Sequence, residues 1–245
     1  GKADLTLTLK ALHSLHPDRD EVLIPAFTCY SVPSAIARAG LRVRLCDVDP
    51  STLDFNFDRL KQGLSGGGTL LAIVAPHLFG LPSNIDRLKA LIGNYSLQPT
   101  TYNLQPISLI EDAAQAMGGL GSNGFLGTQG GVGFFSLGRG KAFSTVEGGI
   151  LVTDSDEIGH TIDAVLRSVP AQGRAHRVKI AAYAMALSAL MNPSLFWIPK
   201  SLPGLKLGET IYDPQFHMHM LSSFQAGLAR NWHKRIRALQ HVRKN

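Results

Sequence analysis

Short apolar segments alternate with helix-like patterns through residues 1–155, and this alternation limits the possible folds more than any other feature of the sequence. Leu5, Leu9 and Leu12 have helical spacing, and the segments 35–39 and 85–91 are also predicted as helices. Segments with the character of buried strands are 21–25, 42–45, 70–75, 107–110, 131–136 and 149–153. Apolar strands of this kind are typical of a parallel sheet that helices cover on both faces. The sequence therefore predicts an α/β fold around a mostly parallel sheet.

Polar side chains follow several of the predicted strands. Thr28, His77, Asp112 and Ser136 all lie at such positions. Ligands of parallel sheets gather at the carboxyl ends of the strands. An acid buried there is costly unless it finds hydrogen bonds or a cationic partner. Two interpretations of Asp112 stay open at this point: it caps a following helix, or it binds a cationic nitrogen of a ligand.

Lys141 lies in the segment 133–149, GFFSLGRGKAFSTVEGG, between glycine-rich flanks. A P-loop is excluded, because Ala142 stands where that motif needs serine or threonine. From the segment alone, Lys141 is either a solvated loop residue or a nucleophile whose amine is kept neutral. Pyridoxal phosphate needs a lysine, a carboxylate for its ring nitrogen and hydroxyl or backbone donors for its phosphate. Lys141, Asp112 and Ser136 are of these types, and together they favour the nucleophile.

Composition favours an anionic ligand, because 24 lysines and arginines against 18 acids give a net charge of +6. The basic residues are scattered and do not form a stripe with aromatics, so nucleic acid is not a predicted partner. Cys29 and Cys46 form no CxxC motif, which argues against a disulfide framework and favours a reducing compartment, the cytoplasm. The pair His217 and His219 has no third ligand at suitable spacing, so no metal site is predicted.

The segment 180–198 is strongly apolar, but Asn192 and Pro193 interrupt it. Neither half has the roughly 20 residues that a helix needs to cross a bilayer. We therefore expect a helical hairpin that packs on the domain or on a neighbouring subunit, with contact to a membrane surface as the lesser alternative. A final, basic helix is predicted over 225–239.

Five separate motifs carry a family resemblance. They are DEVLIPAFTC at 20–29, PHLFG at 76–80, EDAAQA at 111–116, SLGRGK at 136–141 followed by EGG at 147–149, and MLSSFQAGL at 220–228. In this order they resemble the DegT/DnrJ/EryC1/StrS family of sugar aminotransferases, which are fold-type-I pyridoxal phosphate enzymes. The resemblance implies that residues 1–245 are the large cofactor domain, with a mostly parallel, seven-stranded-type sheet and helices on both faces. It also implies an atypical helical insertion at about 160–215, and a smaller C-terminal domain beyond residue 245.

The resemblance assigns roles around the cofactor ring. Lys141 would bind the pyridoxal 5′-phosphate aldehyde and shuttle protons, and Asp112 would keep the ring nitrogen protonated. Gln115 would donate a hydrogen bond to the ring's 3-oxygen, and Ala114 would pack on one ring face. Cys29 occupies the position where relatives commonly place an aromatic on the other face; Tyr30 follows it, and both are candidates for this contact.

The resemblance also assigns the phosphate site. Ser136 and the backbone amides of Gly1 and Lys2 would hold the phosphate at a helix N-terminus. Gly1 would be the second residue of the family's phosphate loop. His217 replaces the asparagine that in relatives reaches the cofactor phosphate of the neighbouring subunit, so a homodimer is expected.

The implied reaction is amino transfer, with glutamate as the donor, to a keto sugar carried on a nucleoside diphosphate. One alternative is a sugar dehydratase of the same fold, against which Lys141 argues because those relatives have histidine there. A nicotinamide oxidoreductase lacks support, since no GxGxxG follows the first strand. A non-catalytic relative is a further alternative, supported by the unusual residues at 137–140 and 216–219.

Overall fold

The computed structural model describes residues 1–64, 69–96, 107–190 and 211–244. Its helices are α1 Lys2–Leu15, α2 Ser31–Arg38, α3 Phe57–Leu64, α4 Ile85–Ser96, α5 Asp156–Leu166, α6 Arg174–Leu190, α7 Ser223–Leu228 and α8 Trp232–Lys244, with a 3₁₀ turn at Leu78–Gly80. Its strands are β1 Glu21–Pro25, β2 Arg42–Cys46, β3 Leu70–Pro76, β4 Ser108–Asp112, β5 Leu120–Gly121, β6 Gly124–Phe125, β7 Val132–Ser136 and β8 Gly149–Val152.

The six predicted strands form one sheet in the order β2-β1-β3-β4-β7-β8. Neighbouring strands from β2 to β7 run parallel, and only β8 is antiparallel to its neighbour β7. The mostly parallel α/β fold is therefore confirmed. Where relatives imply a seven-stranded type, the described part of the chain supplies six strands to this sheet, while β5 and β6 form a separate hairpin.

Two hydrophobic clusters cover the two faces of the sheet. On one face, α1 and α2 pack over β1, β3 and β4 through residues that include Leu9, Ile36 and Ile110. On the other face, α3 and α4 cover the same strands through residues that include Leu60, Leu88 and Leu109. Ile110 and Leu109 are adjacent, and they point to opposite faces as successive residues of a strand must. This alternation decides on which side of the sheet each polar residue after them lies.

The C-terminal part differs from the expectation in one respect. The predicted helix at 225–239 is divided into α7 and α8, and Asn231, with φ of 61°, lies in the break. A left-handed residue cannot continue a right-handed helix, so the chain turns there. No described helix is long and apolar enough to cross a membrane. Of the predicted hairpin, α6 is present, and residues 191–198 lie outside the described residues. The predicted insertion at 160–215 is described over 160–190 and 211–215, and there it includes most of α5 and all of α6.

Candidate cofactor site

Asp112 ends β4 at the carboxyl edge of the sheet, with only 8% of its surface exposed. Its Oδ1 accepts a hydrogen bond from the Ala114 backbone N–H at 3.0 Å. Burial raises the pKa of Asp112, although the Ala114 hydrogen bond and nearby positive charges, among them Lys141, act in the opposite direction. The helix-cap interpretation is wrong, because turns follow Asp112 and the next described helix is α5. The carboxylate therefore remains available to a cationic ligand atom.

Lys141 lies in the lysine loop, residues 137–148, which joins β7 to β8. The loop is anchored by the buried side chains of Leu137 and Phe143, which pack with Ile236 of α8. Lys141 itself is half-buried, and its backbone N–H points to the Gly138 carbonyl at 3.4 Å. Its positive charge acts to lower the pKa of Asp112, so the two residues lie within electrostatic range of each other although they are far apart in sequence.

Ser136 ends β7 on the same sheet face as Asp112. Asp112 pairs with Phe134 of β7, and Ser136 lies two residues after Phe134, so its side chain points to the same face. A Cβ added to Gly1 would lie 3.3 Å from the Ser136 hydroxyl, and one added to Gly138 would lie equally close. The Gly138 N–H donates to Ser136 Oγ at 3.3 Å. Helix α1 begins at Lys2, so its first unpaired amides are beside this hydroxyl. Hydroxyl, amides and absent side chains together form a cradle that fits a phosphate.

Gln115 and Ala114 follow Asp112 in the turn after β4. Gln115 Oε1 accepts a hydrogen bond from the Phe79 N–H at 2.6 Å, which leaves its NH₂ group as the donor. Phe79 lies in the 3₁₀ turn with φ of 57°, so this contact stabilises an unfavourable backbone conformation. Ala114 packs against the core cluster beneath α1 and α2. Both positions are compatible with the predicted contacts to a cofactor ring.

The two candidates for the second ring face differ in exposure. Cys29 is half-buried, whereas Tyr30 is 61% exposed and precedes α2. Thr28, which precedes both, has a buried hydroxyl without a hydrogen-bond partner among the described residues. A buried hydroxyl of this kind is costly unless a ligand or water completes it. The contacts of Cys29 and Tyr30 with a cofactor stay predictions.

His217 lies close to the start of α1, because the neighbouring Phe216 packs under Lys2 Nζ, 4.8 Å from its ring centre. The His217 ring is 6.3 Å from that of His219, which is 5.1 Å from that of His176. No metal-binding group of three such ligands occurs in the described ranges. The role of His217 toward a neighbouring subunit stays a prediction.

A buried hydrogen-bond network lies on the opposite face of the sheet, and the sequence did not predict it. His77 and Glu111 are 1% and 0% exposed, and His77 Nε2 lies 2.9 Å from Glu111 Oε2. His77 Nδ1 accepts from the Ser83 N–H at 3.1 Å, so Nε2 carries the proton that is donated to Glu111. The signal that could have predicted this pair is the position of each residue at the end of a strand, on the side-chain alternation that places both on the same sheet face.

Glu111 also accepts backbone hydrogen bonds from the turn that leads into β7. Gly127 donates to Oε2 at 2.8 Å, and Gln129 and Gly130 donate to Oε1. Burial alone would raise the pKa of Glu111, but the hydrogen bonds from His77 and from the amides of Gly127 and Gly130 outweigh it and lower this pKa. We call Glu111, His77 and the 127–130 amides the Glu111 network. It joins the HLFG turn, β4 and the start of β7 below the site.

Comparison with known proteins agrees with these features. The model of the DegT/DnrJ/EryC1/StrS aminotransferase family matches residues 1–191. A GDP-4-keto-6-deoxy-D-mannose 3-dehydratase of Escherichia coli is 30% identical over 65% of this chain and 39% of its own length. An L-glutamine:2-deoxy-scyllo-inosose aminotransferase of Streptomyces kanamyceticus is 29% identical over 72% of this chain and 37% of its own. The chain thus spans about two fifths of the length of these relatives.

Solved structures give the same result. The sugar aminotransferase CalS13 of Micromonospora echinospora matches with a TM-score of 0.59 and 31% identity, over 66% of this chain and 42% of its own. The E. coli GDP-4-keto-6-deoxy-D-mannose-3-dehydratase with bound hydrated pyridoxal phosphate matches with a TM-score of 0.55 and 30% identity, over 65% and 39%. The cradle at Ser136, the buried carboxylate of Asp112 and the nearby lysine are of the residue types that this cofactor needs. The chain belongs to the DegT/DnrJ/EryC1/StrS aminotransferase family, whose cofactor is pyridoxal 5′-phosphate.

Proposed function

We propose that the protein is an aminotransferase that moves an amino group from an amino-acid donor, glutamate, to a keto sugar carried on a nucleoside diphosphate. The observation that carries the proposal is the position of Lys141 at the edge of the sheet, near enough to the buried Asp112 for its positive charge to act on the pKa of that carboxyl. The primary amine of a lysine can bond covalently to an aldehyde and afterwards take and return a proton. The imidazole of a histidine cannot form this covalent bond. Lys141 therefore favours amino transfer over the dehydratase alternative.

Each residue has one chemical task in this proposal. The cofactor, when bound, supplies an electron sink for the carbon that loses its proton. Asp112, whose pKa is raised by burial, would gain a partner in a protonated ring nitrogen, because an adjacent positive charge favours the carboxylate. Lys141 Nζ moves the proton. The Gln115 NH₂ group would orient the cofactor ring by donating a hydrogen bond to the ring's 3-oxygen. The Ser136 hydroxyl would hold the cofactor phosphate.

The substrate class rests on charge and on relatives. The net charge of +6 suits a doubly charged diphosphate carrier. One related structure, DesI, was solved in the presence of its TDP-sugar product, and one related aminotransferase is described as using L-glutamine. We further propose a homodimer in which His217 reaches the partner's cofactor phosphate. For its location we propose the cytoplasm, in line with the free thiols of Cys29 and Cys46.

The test is an absorbance titration of the full-length protein with pyridoxal 5′-phosphate. We expect a visible band of the lysine-bound cofactor that glutamate changes and that Lys141→Ala abolishes. A band that forms but responds to neither glutamate nor glutamine would contradict the proposed amino transfer from these donors. Absence of any band in the wild type would overturn the cofactor assignment for this protein. Sedimentation of the loaded protein as a monomer would contradict the homodimer.

A further inference from the structure

Helix α6 lies against the lysine loop at two points, one on each side of Lys141. Before the lysine, Arg139 contacts Tyr183 of α6. After it, Glu147 lies 3.6 Å from Nε2 of His176, also on α6. His176 and Tyr183 are seven residues apart, which is two helical turns, so they share one face of the helix. Ile180 lies between them on that face and is the one buried side chain in the described part of α6.

The Arg139–Tyr183 contact combines two interactions. The guanidinium Nη1 donates to the Tyr183 hydroxyl at 2.6 Å, and the guanidinium carbon lies 5.0 Å from the centre of the ring. Both distances are in the range for a hydrogen bond and for a cation–π interaction. A lysine could not make both contacts, because it lacks the planar guanidinium group that lies over the ring while one of its N–H groups donates a hydrogen bond to the hydroxyl.

Between the buried Leu137 and Lys141 the backbone is held by weak contacts, of which one is the 3.3 Å hydrogen bond from the Gly138 N–H to Ser136 Oγ. Gly138 and Gly140 flank Arg139, and Gly140 has φ of 73°, a conformation that glycine adopts without strain. The Lys141 N–H to Gly138 carbonyl distance of 3.4 Å marks a weak hydrogen bond. Glycine on both sides gives the unbound loop many conformations of similar energy, so an external anchor restricts it. The Arg139 side chain is such an anchor.

The backbone after Lys141 is held differently. Gln225 Nε2 donates to the Glu147 carbonyl at 2.9 Å, and the Gln225 side chain is buried. Gln172, which precedes α6, donates to Gln225 Oε1 at 2.7 Å, and so links the start of the helix to the same point. The 3.6 Å between His176 Nε2 and the Glu147 carboxylate is too long for a hydrogen bond. In the described part of the chain, the side-chain hydrogen bond between α6 and the loop is therefore the one from Arg139 to Tyr183.

We propose that α6 clamps the lysine loop, and that Arg139 and Tyr183 are positioning residues that hold Lys141 facing Asp112. The inference rests on the proposed function in that Lys141 is the residue that binds the cofactor. It explains two departures from the family pattern with one contact, because Arg139 lies in the unusual 137–140 stretch and Tyr183 in the helical insertion. Loss of the contact lets the loop leave the position in which the amine and the Asp112 carboxylate meet the same ligand.

The experiment measures how fast the full-length protein releases pyridoxal 5′-phosphate, followed by its absorbance after dilution. Tyr183→Leu and Arg139→Ala are each expected to raise the release rate about two- to fivefold, the effect of losing one cation–π contact with a hydrogen bond at an exposed position. The double variant should resemble either single variant, because both remove the same contact. Tyr183→Phe, which keeps the ring, should lie between. Met185→Leu is the matched control, since Met185 is 68% exposed on the same helix, and it should match the wild type.

A second measurement needs no cofactor. Trypsin must take up the Arg139 side chain to cut before Gly140, so the contact with Tyr183 should protect that bond. We expect mass spectrometry to show cleavage there several-fold faster in unloaded Tyr183→Leu than in the wild type or Met185→Leu. Equal cleavage of wild type and Tyr183→Leu would overturn the clamp. So would additive effects of the two substitutions on the release rate of the cofactor, in the first measurement. If the wild type binds the cofactor but transfers no amino group, the proposed function fails while both measurements still test the clamp.

Discussion

Glu111 and Asp112 are adjacent, buried acids at the end of β4, yet their surroundings differ in hydrogen bonding and in the direction in which their pKa values are shifted. Glu111 points to the face of α3 and α4, where His77 and three backbone amides satisfy its carboxylate and its pKa is lowered. Asp112 points to the face of α1, where, among the residues that the structure describes, one backbone N–H donates to its carboxylate, and burial raises its pKa. A carboxylate whose hydrogen bonds are complete stabilises the fold, whereas one left incomplete in a buried place is ready for a ligand.

The largest effect is expected from Glu111→Ala. It leaves buried His77 and the amides of Gly127, Gln129 and Gly130 without their acceptor, and we expect a loss of about 3–5 kcal/mol in the free energy of unfolding. Denaturant unfolding of the unloaded full-length protein measures it. Glu111→Gln keeps the shape and should cost less, about 1–3 kcal/mol. Glu147→Ala, at an exposed side chain, is the control and should change stability by no more than about 0.5 kcal/mol. A loss no larger than that in Glu111→Ala would remove the contrast between the two acids.

Asp112→Asn should have the opposite profile. We expect amino transfer to fall by at least about a hundredfold, as for the loss of one buried electrostatic partner of the reacting group. The unloaded protein should stay as stable as the wild type at neutral pH, because asparagine removes a buried charge and still accepts the Ala114 hydrogen bond. Steady-state kinetics and unfolding on the same preparation test both halves. A variant that unfolds would show that Asp112 is structural. One that retains full activity would contradict its role toward the cofactor.

Gly133→Ala probes the Glu111 network from its backbone side. A Cβ at Gly133 would overlap the carbonyl of Gly127, whose N–H donates to Glu111. We expect a loss of about 1–3 kcal/mol in unfolding free energy as the 127–130 turn moves away from the carboxylate. Gly159→Ala is the matched control, because an added Cβ there would meet only an ordinary contact at 3.8 Å. Equal stabilities of the two variants would show that the turn adapts freely.

The smallest effect is the pH dependence of stability in the unloaded protein. The pKa of Asp112 is raised in the folded state, so its contribution is complete below its ordinary value of 3.8 and is lost as pH rises through the folded pKa. The pKa of Glu111 is lowered, so its contribution is present above its ordinary value of 4.5 and is lost as pH falls through the folded pKa. Compared with the wild type, Asp112→Asn and Glu111→Gln should therefore change the slope of the unfolding free energy against pH in opposite directions. Each change is at most about 1.4 kcal/mol per pH unit. Shifts of the same sign would contradict the assignment.

The sequence indicated most of the candidate site but not how its acids divide their roles. Lys141, Asp112 and Ser136 were predicted from residue type and position after strands, and the structure places them together. The helix-cap alternative for Asp112 stayed open because a turn and a helix start can have the same local sequence. The division of the last helix at Asn231 was missed for a similar reason, since the apolar and basic pattern continues across it.

Local patterns settle what depends on neighbours in sequence. Apolar runs and helical spacing were enough to predict the six strands of the main sheet, their mostly parallel arrangement and the helices on both faces, since burial and period act over a few residues. Only the tertiary structure could pair His77 with Glu111 and Arg139 with Tyr183, because these contacts depend on strand order and on the path of α6. It also decided which helices cover each of the two adjacent acids, α1 and α2 on the face of Asp112 and α3 and α4 on the face of Glu111. Such contacts join residues 34 and 44 positions apart, and no local preference encodes them.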